Sequence, residues 1–388
     1  MSKLKELIER LCPLGVPHMK FGDVLEFRRG QTITEKDSTP GEYPVIAGGQ
    51  KPAYYHNKYN RNGETIAVAG SGAYAGYVSW WTTPIFLSDA FSVHPKDCKL
   101  LPKYVYYYMV NIQQQIHNTK KGSGVPHVHG SSITNFLIPV PPIEVQEEIV
   151  KILDRFSDYA AELQAELQAR KEQYEYYRNL LLSFNPSAYG CGTDGEQEMR
   201  DTGNTPPHLL TNVNVIWKTI GEICKVIQAP KKLKRKDYDL IGKYPIIDQG
   251  QEYVIGYSNQ EDALLPEGEY VLFGDHTRNV KYFKGQFIQG ADGVKILKTI
   301  EGVRTKYLYQ IMKNLKIEDR GYNRHWTVVT PILIPIPPLM VQEKIVAILD
   351  RFETLVNDLT KGLPAEIAAV KEQYEYYRNK LLTFKQRA

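Results

Sequence analysis

The nonapeptide KEQYEYYRN occupies residues 171–179, and the same nine letters return unchanged at residues 371–379. The segments that precede the two copies also match, because IPVPPIEVQEEIVKILDRF (138–156) returns as IPIPPLMVQEKIVAILDRF (334–352). Self-similarity of this kind indicates two copies of one structural unit. The chain is therefore predicted to consist of two halves, and each half is a variable domain followed by a nearly constant segment.

The constant segments carry a heptad pattern. After the proline pair at 141–142, apolar residues recur at alternating steps of three and four over residues 149–184, and the second copy repeats the pattern over 345–384. This pattern predicts a long helix with one apolar face, and a proline pair suits its N-terminus. Two such helices in one chain are predicted to pack as an antiparallel coiled coil that separates the variable domains.

The two constant segments differ in length by close to one helical turn. The interval between LDRF and KEQY is 14 residues in the first copy (157–170) and 18 in the second (353–370). The first interval contains the tandem AELQAELQ (161–168). The second contains Gly362 and Pro364, where a helix is expected to bend or restart. The first helix is therefore predicted to act as a spacer of adjustable length.

The polar residues of the nonapeptide are unchanged between the copies. Core packing accounts for Tyr174, Tyr177 and Leu181, but it leaves the polar positions free to differ. An identical surface on two segments predicts that the same partner binds twice. Two alternatives are a stalk whose periodicity reports packing alone and a recent duplication under no selection. The divergence of the variable domains favours the shared partner.

Composition is that of a soluble globular protein. With 388 residues the chain can form two or three domains, each with its own core, and 42% of the residues are apolar. The net charge of +4 requires any basic surface to be local. No stretch approaches about 18 apolar residues, so the expected location is the cytoplasm. The cysteines are too far apart to indicate zinc or disulfides: Cys12, Cys98, Cys191 and Cys224.

The segments IPxPPxxxQxxIVxILDRF and KEQYEYYRNxLLxF, in alternation with two variable domains, resemble the specificity subunits of type I restriction-modification enzymes. The resemblance covers nearly the whole chain. It implies two target recognition domains that each read one half of a split asymmetric DNA sequence. It further implies constant helices that set the spacing and dock two methyltransferase subunits, which methylate adenine with S-adenosylmethionine. Restriction subunits that use ATP and Mg are implied as partners through the same complex.

The expected fold class is α+β: two mixed, mainly β target recognition domains separated by two long antiparallel coiled-coil helices, with a pseudo-twofold internal repeat. Short apolar runs between Gly-rich turns indicate strands, and one helix per domain is indicated by PKYVYYYM and TKYLYQIM. The predicted boundaries are an N-terminal helical segment (1–18), a first recognition domain (19–141), a first spacer helix (142–184), a linker (185–214), a second recognition domain (215–337) and a second spacer helix (338–388).

The chain is expected to be non-catalytic and to bind no cofactor or metal itself. NPSAY (185–189) lacks the second proline of the loop with which adenine methyltransferases grip a flipped base. AGSGAYAG (69–76) lacks the lysine of a phosphate-binding loop, and a strand and turn explain it better. His127 and His129 share one side of an extended segment but have no evident third metal ligand. The chemistry is therefore expected to lie in partner subunits.

Reading duplex DNA requires cations for the phosphates and polar side chains that reach base edges. For any single residue the alternative is a solvated loop charge or a turn, and for Asp275 in GDHT it is a cap on its own backbone. The predicted DNA-binding residues of the first domain are Arg28, Arg29, Gln31, Lys51, Tyr54, Lys58, Arg61, Ser71, Tyr74, Lys120, Lys121, Ser123, His127 and His129. Those of the second domain are Lys231, Lys232, Lys234, Arg235, Gln249, Gln251, His276, Thr277, Arg278, Lys281, Arg320, Arg324 and His325.

A second set of residues is predicted to dock the methyltransferase subunits. These residues lie near the start of each constant segment and in each nonapeptide: Gln146, Glu147, Lys171, Gln173, Tyr176, Arg178, Gln342, Glu343, Lys371, Gln373, Tyr376 and Arg378. The alternative function is a coiled-coil adaptor that joins proteins and binds no DNA. Salt-dependent DNA binding discriminates between the two, because phosphate contacts weaken steeply as salt rises.

Overall fold

The computed structural model describes residues 2–122, 124–184, 213–290, 293–321, 323–358 and 360–387. Its helices are α1 (Ser2–Leu11), α2 (Phe21–Val24), α3 (Pro102–Asn111), α4 (Gln113–His117), α5 (Gly130–Ile133), α6 (Ile143–Ser183), α7 (Ile220–Ile223), α8 (Thr305–Asn314), α9 (Trp326–Val329), α10 (Leu339–Asn357) and α11 (Leu363–Leu382). Most of the predicted linker, residues 185–212, lies outside the described residues, and so does the NPSAY sequence.

The strands are short and fall into two sets of nine. The first set is β1 (His18–Lys20), β2 (Leu25–Arg29), β3 (Tyr43–Ile46), β4 (Tyr55–His56), β5 (Thr65–Ala69), β6 (Val78–Trp81), β7 (Phe86–Leu87), β8 (Ala90–Pro95) and β9 (Leu137–Pro139). The second set is β10 (Ile216–Thr219), β11 (Cys224–Ile227), β12 (Tyr244–Ile247), β13 (Gly256–Ser258), β14 (Gly268–Gly274), β15 (Val280–Gly285), β16 (Ile288–Gln289), β17 (Val294–Thr299) and β18 (Leu333–Ile336).

The chain forms two compact units whose boundaries cut through the constant segments. Unit 1 comprises Met1–Ala165 and Ala365–Ala388, and unit 2 comprises Glu166–Pro364. Each unit therefore contains one recognition domain, the beginning of the constant segment that follows it, and the nonapeptide of the other copy. The linear order predicted from the sequence did not include this exchange of nonapeptides.

Unit 1 is built from three small sheets and the helices that cover them. A four-stranded antiparallel sheet has the order β2-β8-β5-β6, a three-stranded sheet has the order β4-β3-β7, and β1 pairs with β9. Every residue of β5 is buried, as expected for an apolar central strand covered on both faces. The main core joins α1, this sheet and α3 to α6, and it is completed by Leu381 and Leu382 of α11.

Unit 2 repeats this arrangement strand for strand. Its sheets have the orders β11-β17-β14-β15, β13-β12-β16 and β10-β18. The parallel strand pair also corresponds between the units, since β3 runs parallel to β7 and β12 runs parallel to β16. The prediction of two mixed α and β domains is confirmed.

The two constant segments differ in continuity. The first is one helix of 41 residues, α6. The second was predicted as one spacer segment that bends or restarts at Gly362 and Pro364, and there the structure has two helices, with α10 ending at Asn357 and α11 beginning at Leu363. Asp358 ends α10 by accepting hydrogen bonds from the backbone N–H of Thr360 and Lys361. A Cβ at Gly362 would lie 2.4 Å from the Thr354 carbonyl oxygen, so only glycine fits the restart.

Candidate nucleic-acid interface

In unit 1, four of the predicted loops meet at one end of the sheets. Lys121 and His127 exchange backbone hydrogen bonds of 3.0 and 2.9 Å, and His127 also pairs with Ser71. A Cβ at Gly48 would lie 2.4 Å from the Ser71 carbonyl oxygen, which brings a third loop to the same place. Arg29 and His129 line a pocket of about 250 Å³ beside them. We call Arg29, Ser71, Lys121, His127 and His129 the unit 1 loop cluster.

The two histidines of this cluster present their rings side by side. The ring centroids of His127 and His129 are 6.0 Å apart, and the planes differ by 4°. His129 is exposed and His127 is half-buried, so both can reach a ligand from the same side. Parallel imidazoles with adjacent cations can supply donors to phosphates or to base edges.

Other predicted residues of unit 1 serve the fold. Arg61 donates to Ser92 Oγ at 2.7 Å and to the carbonyl oxygens of Arg28 and Arg29 at 3.0 Å, and burial lowers its pKa. The Arg61 side chain is thus occupied in tying two strands together, which corrects its assignment as a DNA contact. Tyr54 likewise donates to the Ile33 carbonyl oxygen at 2.7 Å.

The remaining predicted residues of unit 1 are spread around the cluster. Arg28 pairs with Glu26 at 2.6 Å, and Lys120 Nζ lies 2.6 Å from His117 Nε2. Ser123 lies outside the described residues. Four further predicted residues are exposed: Gln31, Lys51, Lys58 and Tyr74.

In unit 2, the corresponding loops meet around Gln249. The Gln249 side-chain oxygen accepts the backbone N–H of His276 at 3.2 Å, and Thr277 Oγ1 donates to the Gln249 carbonyl oxygen at 2.6 Å. A Cβ at Gly293 would lie 2.6 Å from Gln249 Nε2, so glycine is required for this approach. We call Gln249, Gln251, His276 and Thr277 the unit 2 loop cluster, of which Gln251 and Thr277 are exposed.

Asp275 holds two loops of unit 2 together. It is 2% exposed, and its carboxylate accepts the backbone N–H of Trp326 at 2.7 Å. It therefore caps the start of α9 from 51 residues away, whereas the sequence suggested a cap on its own backbone. His325 is fully buried against the Asp275 carbonyl oxygen, with Nδ1 at 2.9 Å. The prediction that His325 contacts DNA is wrong, because its ring has no path to the surface.

Lys281 and Arg278 are also engaged inside unit 2. Lys281 is 6% exposed and donates to the carbonyl oxygens of Asp248 and Glu252 at 2.9 and 2.5 Å, and burial lowers its pKa. Its assignment to DNA is therefore wrong. Arg278 bonds to the Ile317 carbonyl oxygen at 3.0 Å and to the Asp319 carboxylate at 2.7 Å.

The other predicted cations of unit 2 lie at its surface. Lys231 is held by Asp262 at 2.9 Å. The exposed residues are Lys231, Lys232, Lys234, Arg235, Arg320 and Arg324.

Two of the predicted docking residues are buried clamps. Gln146 is 0% exposed, donates to the carbonyl oxygens of Lys99 and Pro141 at 2.7 Å, and accepts the Leu101 N–H at 2.9 Å. Gln342 is equally buried and makes the matching three bonds, to Gly302, Pro337 and Arg304. A partner subunit cannot reach either side chain, so both are withdrawn from the docking set.

The arginine of each nonapeptide is hydrogen-bonded to a helix of a recognition domain, α8 or α3. Arg178 Nε donates to Asn314 Oδ1 at 2.9 Å, and Arg378 Nε donates to Asn111 Oδ1 at 3.4 Å. Each arginine also lies over the tyrosine four residues before it, at 5.2 Å in unit 2 and 5.0 Å in unit 1. Contacts inside each unit therefore explain why this arginine is the same in both nonapeptides. The sequence pattern alone had suggested that all of the unchanged polar residues bind a shared partner.

A further pair of anchors was missed at the sequence level. Lys103 pairs with Asp154 at 3.1 Å, and Lys306 pairs with Asp350 at 2.5 Å. In unit 1 Asp154 also accepts the hydroxyl of Tyr107, which together with burial raises the pKa of that tyrosine. The signal was present, because the Lys-Tyr of each recognition helix and the Asp of each LDRF recur in both halves.

The remaining docking residues keep an accessible face. Tyr176 is 61% exposed and Tyr376 is 59% exposed, although both are large and apolar. Glu343 pairs with Arg304 on the surface. Gln173 is half-buried in unit 2, and the exposed polar members of the set are Glu147, Glu343, Lys171, Lys371 and Gln373.

Across the residues that the structure describes, no group of three or more His, Cys, Asp or Glu side chains is arranged to hold a metal ion. No helix in the same residues is both long and apolar enough to span a membrane.

The model of a known family, the type I restriction modification DNA specificity domain, matches this chain twice, over residues 13–173 and 212–369. The chain belongs to this family. The family predicted from the repeated segments is confirmed, and with it the role of a specificity subunit in DNA target recognition. Each match contains one of the two loop clusters.

Two relatives agree with this assignment, and a solved structure shares the fold. The type I restriction enzyme EcoR124I/EcoR124II specificity subunit of Escherichia coli is 29% identical over 431 aligned positions, which cover 99% of this chain and 98% of that protein. A Haemophilus influenzae protein assigned as a type I specificity subunit is 30% identical over 85% of both chains. The S subunit of M. genitalium has the same fold, with a TM-score of 0.63 at 18% identity over 96% of this chain and 97% of that one.

Proposed function

We propose that this specificity subunit reads a split asymmetric DNA sequence, with the unit 1 loop cluster on one half and the unit 2 loop cluster on the other. The observation that carries the proposal is the contrast within each unit. The strand order and the internal anchors are the same in both units, whereas the loops that converge at the end of the sheets carry different side chains. Two domains with the same fold and different loop side chains suit two DNA half-sites that differ in base sequence.

The constant helices are proposed to set the spacing and to dock two methyltransferase subunits. In unit 1, Tyr159 of α6 donates to Glu366 of α11 at 2.6 Å, and the rings of Phe156 and Tyr377 are 5.5 Å apart. In unit 2, Phe352 of α10 lies 5.7 Å from Tyr177 of α6. These contacts support the antiparallel pairing, and the exposed Tyr176 and Tyr376 support a repeated docking face. Exposed tyrosines are frequent anchors of protein interfaces.

The chemistry is proposed to lie in the partners. Adenine methylation requires S-adenosylmethionine in the methyltransferase subunits, and restriction requires ATP and Mg in the restriction subunits. The chain itself is proposed to be non-catalytic, to bind no cofactor, and to act in the cytoplasm. This assignment follows from the family and from the motifs that the sequence lacks.

The test is to purify the chain with its methyltransferase partner and to sequence the methylome of cells that express the complex. We expect one bipartite asymmetric methylation motif, and no methyl transfer by the chain alone with labelled cofactor. Methyl transfer by the isolated chain would contradict the non-catalytic assignment. The absence of any salt-dependent DNA binding would favour the adaptor, since phosphate contacts impose that dependence.

Docking is tested by the mass of the complex. We expect two methyltransferase copies per chain, and one copy after either Tyr176→Ala or Tyr376→Ala. Tyr55→Ala is the matched control, because Tyr55 is an exposed tyrosine outside the constant segments. Two copies in both nonapeptide variants would remove these tyrosines from the docking face.

A further inference from the structure

An aliphatic turn projects from unit 2 beside its recognition loops. At its tip Leu240 is 94% exposed and Ile241 is 88% exposed, the highest values for large apolar side chains among the residues that the structure describes. Two adjacent branched side chains in water contribute no apolar burial to the fold. Their position therefore calls for an explanation outside the stability of the unit.

The backbone at the base of this turn is fixed. Asp239 and Tyr257 exchange two backbone hydrogen bonds of 2.9 Å, and the Lys243 N–H donates to Asn259 Oδ1 at 2.9 Å. A Cβ at Gly242 would lie 2.9 Å from Tyr257 Cβ, so glycine lets the turn sit directly on β13. The tip is thereby held outward and cannot fold back onto the core.

Exposed cations lie near the aliphatic tip in sequence. The turn follows a single 3-10 turn, Arg235–Asp237, and Lys234, Arg235 and Lys236 are all exposed. Lys243 on the other side pairs with Glu261 at 3.4 Å. Within residues 234–243 the charges sum to +2, from Lys234, Arg235, Lys236 and Lys243 against Asp237 and Asp239. This charge suits a phosphate backbone.

Unit 1 lacks both features at the matching place. Counting back from Tyr-Pro at 43–44 and 244–245, Thr39 and Pro40 stand where unit 2 has Leu240 and Ile241. A 3-10 turn is present there too, Glu35–Asp37. Residues 34–42 carry a charge of −2, from Lys36 against Glu35, Asp37 and Glu42. The frame of the turn is thus common to both units, and its basic and aliphatic character belongs to unit 2.

The turn is attached to the floor of the unit 2 loop cluster. Leu233 donates its N–H to the Gln289 carbonyl oxygen at 3.1 Å, and Tyr238 donates to the Leu233 carbonyl oxygen at 3.4 Å. A Cβ at Gly290 would lie 2.7 Å from Tyr238 Oη and 3.3 Å from Asp248 Cβ. Asp248 directly precedes Gln249, so DNA held by the cluster passes close to the segment that carries the tip.

We propose that Leu240 and Ile241 form an apolar wedge that unit 2 inserts between base steps of duplex DNA beside its half-site. Lys234, Arg235 and Lys236 contact the flanking phosphates. Leucine and isoleucine are among the side chains that proteins use to unstack a base step from the minor groove, and the resulting bend brings more DNA against the protein. The inference rests on the proposed DNA binding by unit 2 and adds an asymmetry between the half-sites.

The test uses the complex with the methyltransferase subunits and a duplex that carries its methylation motif. The duplex contains 2-aminopurine at successive steps in and beside each half-site, because this base brightens when it is unstacked. Besides brightening at the adenines that the methyltransferase subunits flip, we expect one further bright step beside the unit 2 half-site, and the loss of that step in the Leu240→Ala, Ile241→Ala double variant. We expect DNA affinity to fall about tenfold or more, from the lost apolar burial. The matched control is Thr39→Ala with Pro40→Ala.

Salt dependence separates the wedge from its flanking cations. The aliphatic double variant should keep the slope of log affinity against log salt, whereas Arg235→Ala with Lys236→Ala should lower that slope by about one per cation. The wedge would be overturned if the aliphatic double variant kept the parental DNA affinity, or if the parental complex brightened no step apart from the flipped adenines. Loss of a methyltransferase copy in the aliphatic variant would also overturn it, since the tip would then be a protein contact. If the parental complex fails to bind its own motif, the proposed function fails first.

Discussion

The two units share the same strand order and internal hydrogen bonds, which we call the frame, but they differ in the side chains of their recognition loops. In both, a buried glutamine clamps the start of the constant helix, and a buried tyrosine, Tyr104 or Tyr307, donates to a proline carbonyl oxygen at 3.1 or 3.0 Å. At the other end the contacts diverge, since His127 pairs with Ser71 in unit 1 while Asp275 caps α9 in unit 2. Side chain to backbone bonds thus fix the frame, so the loops can change without moving it.

The largest expected effect comes from lengthening α6, the helix in which the boundary between the two units falls. The boundary between the units falls after Ala165, inside the AELQAELQ tandem of α6. One more Ala-Glu-Leu-Gln inserted after Gln168 adds about 6 Å of helix. The heptad register stays nearly unchanged, because four residues are close to one helical turn. We expect methylation motifs whose gap is longer by one or two base pairs, given about 3.4 Å per base pair.

The half-sites of that variant should be unchanged, because no recognition loop is touched. Gln168→Ala, which keeps the length of α6, should leave the gap as it is. An unchanged gap in the insertion variant would mean that α6 does not set the spacing. Altered half-site bases would mean that the recognition domains are wrongly assigned.

The next effect tests whether Gln146 and Gln342 stabilise their units by similar amounts. Gln146→Ala and Gln342→Ala each remove three hydrogen bonds made by a fully buried side chain. At about 1 kcal/mol per bond, the cost is about 3 kcal/mol in the free energy of unfolding. Urea unfolding measures the loss. Glu147→Ala, at the exposed neighbouring position, should change stability by less than about 0.5 kcal/mol. If Gln146→Ala behaves like this control, the clamp does not hold unit 1.

A smaller effect concerns the nonapeptide arginines. Double-mutant cycles that pair Arg178 with Asn314 and Arg378 with Asn111 should each give a coupling of about 1 kcal/mol in the free energy of unfolding. The Arg178 pair should couple more strongly, because its hydrogen bond is 2.9 Å long and the other is 3.4 Å. Zero coupling in both cycles would mean that Arg178 and Arg378 are free to contact a docked partner.

The smallest effect separates fold from recognition within unit 1. Lys121→Ala should leave stability unchanged and lower the slope of log DNA affinity against log salt by about one, as expected for one lost phosphate contact. Arg61→Ala should instead lower the unfolding free energy by about 1–3 kcal/mol, because it removes the hydrogen bonds that tie β2 to β8 through Ser92 and the carbonyl oxygens of Arg28 and Arg29. Thermal unfolding and salt titrations of both variants make the comparison. A loss of stability in Lys121→Ala alone would reverse the two assignments.

The long helix of the first constant segment could be predicted from the sequence, whereas the burial of individual polar side chains in loops could not. Residues 142–184 were predicted as one helix, because a heptad pattern depends only on residues three and four apart. His325 and Lys281 were assigned to DNA because they are polar and lie in loops. Their burial depends on carbonyl oxygens at Asp275 and Asp248, which are distant in sequence, and no local pattern reports such partners.

The exchange of nonapeptides between the units has a consequence for the order of synthesis. The core of unit 1 includes Leu381 and Leu382, which leave the ribosome roughly 200 residues after the rest of that unit. At about 5–20 residues per second this delay is roughly 10–40 s. Unit 2 has all of its core once α10 has emerged. The domain that is translated first is therefore the last to be completed, and until then its apolar surface for α11 is open to chaperones and proteases.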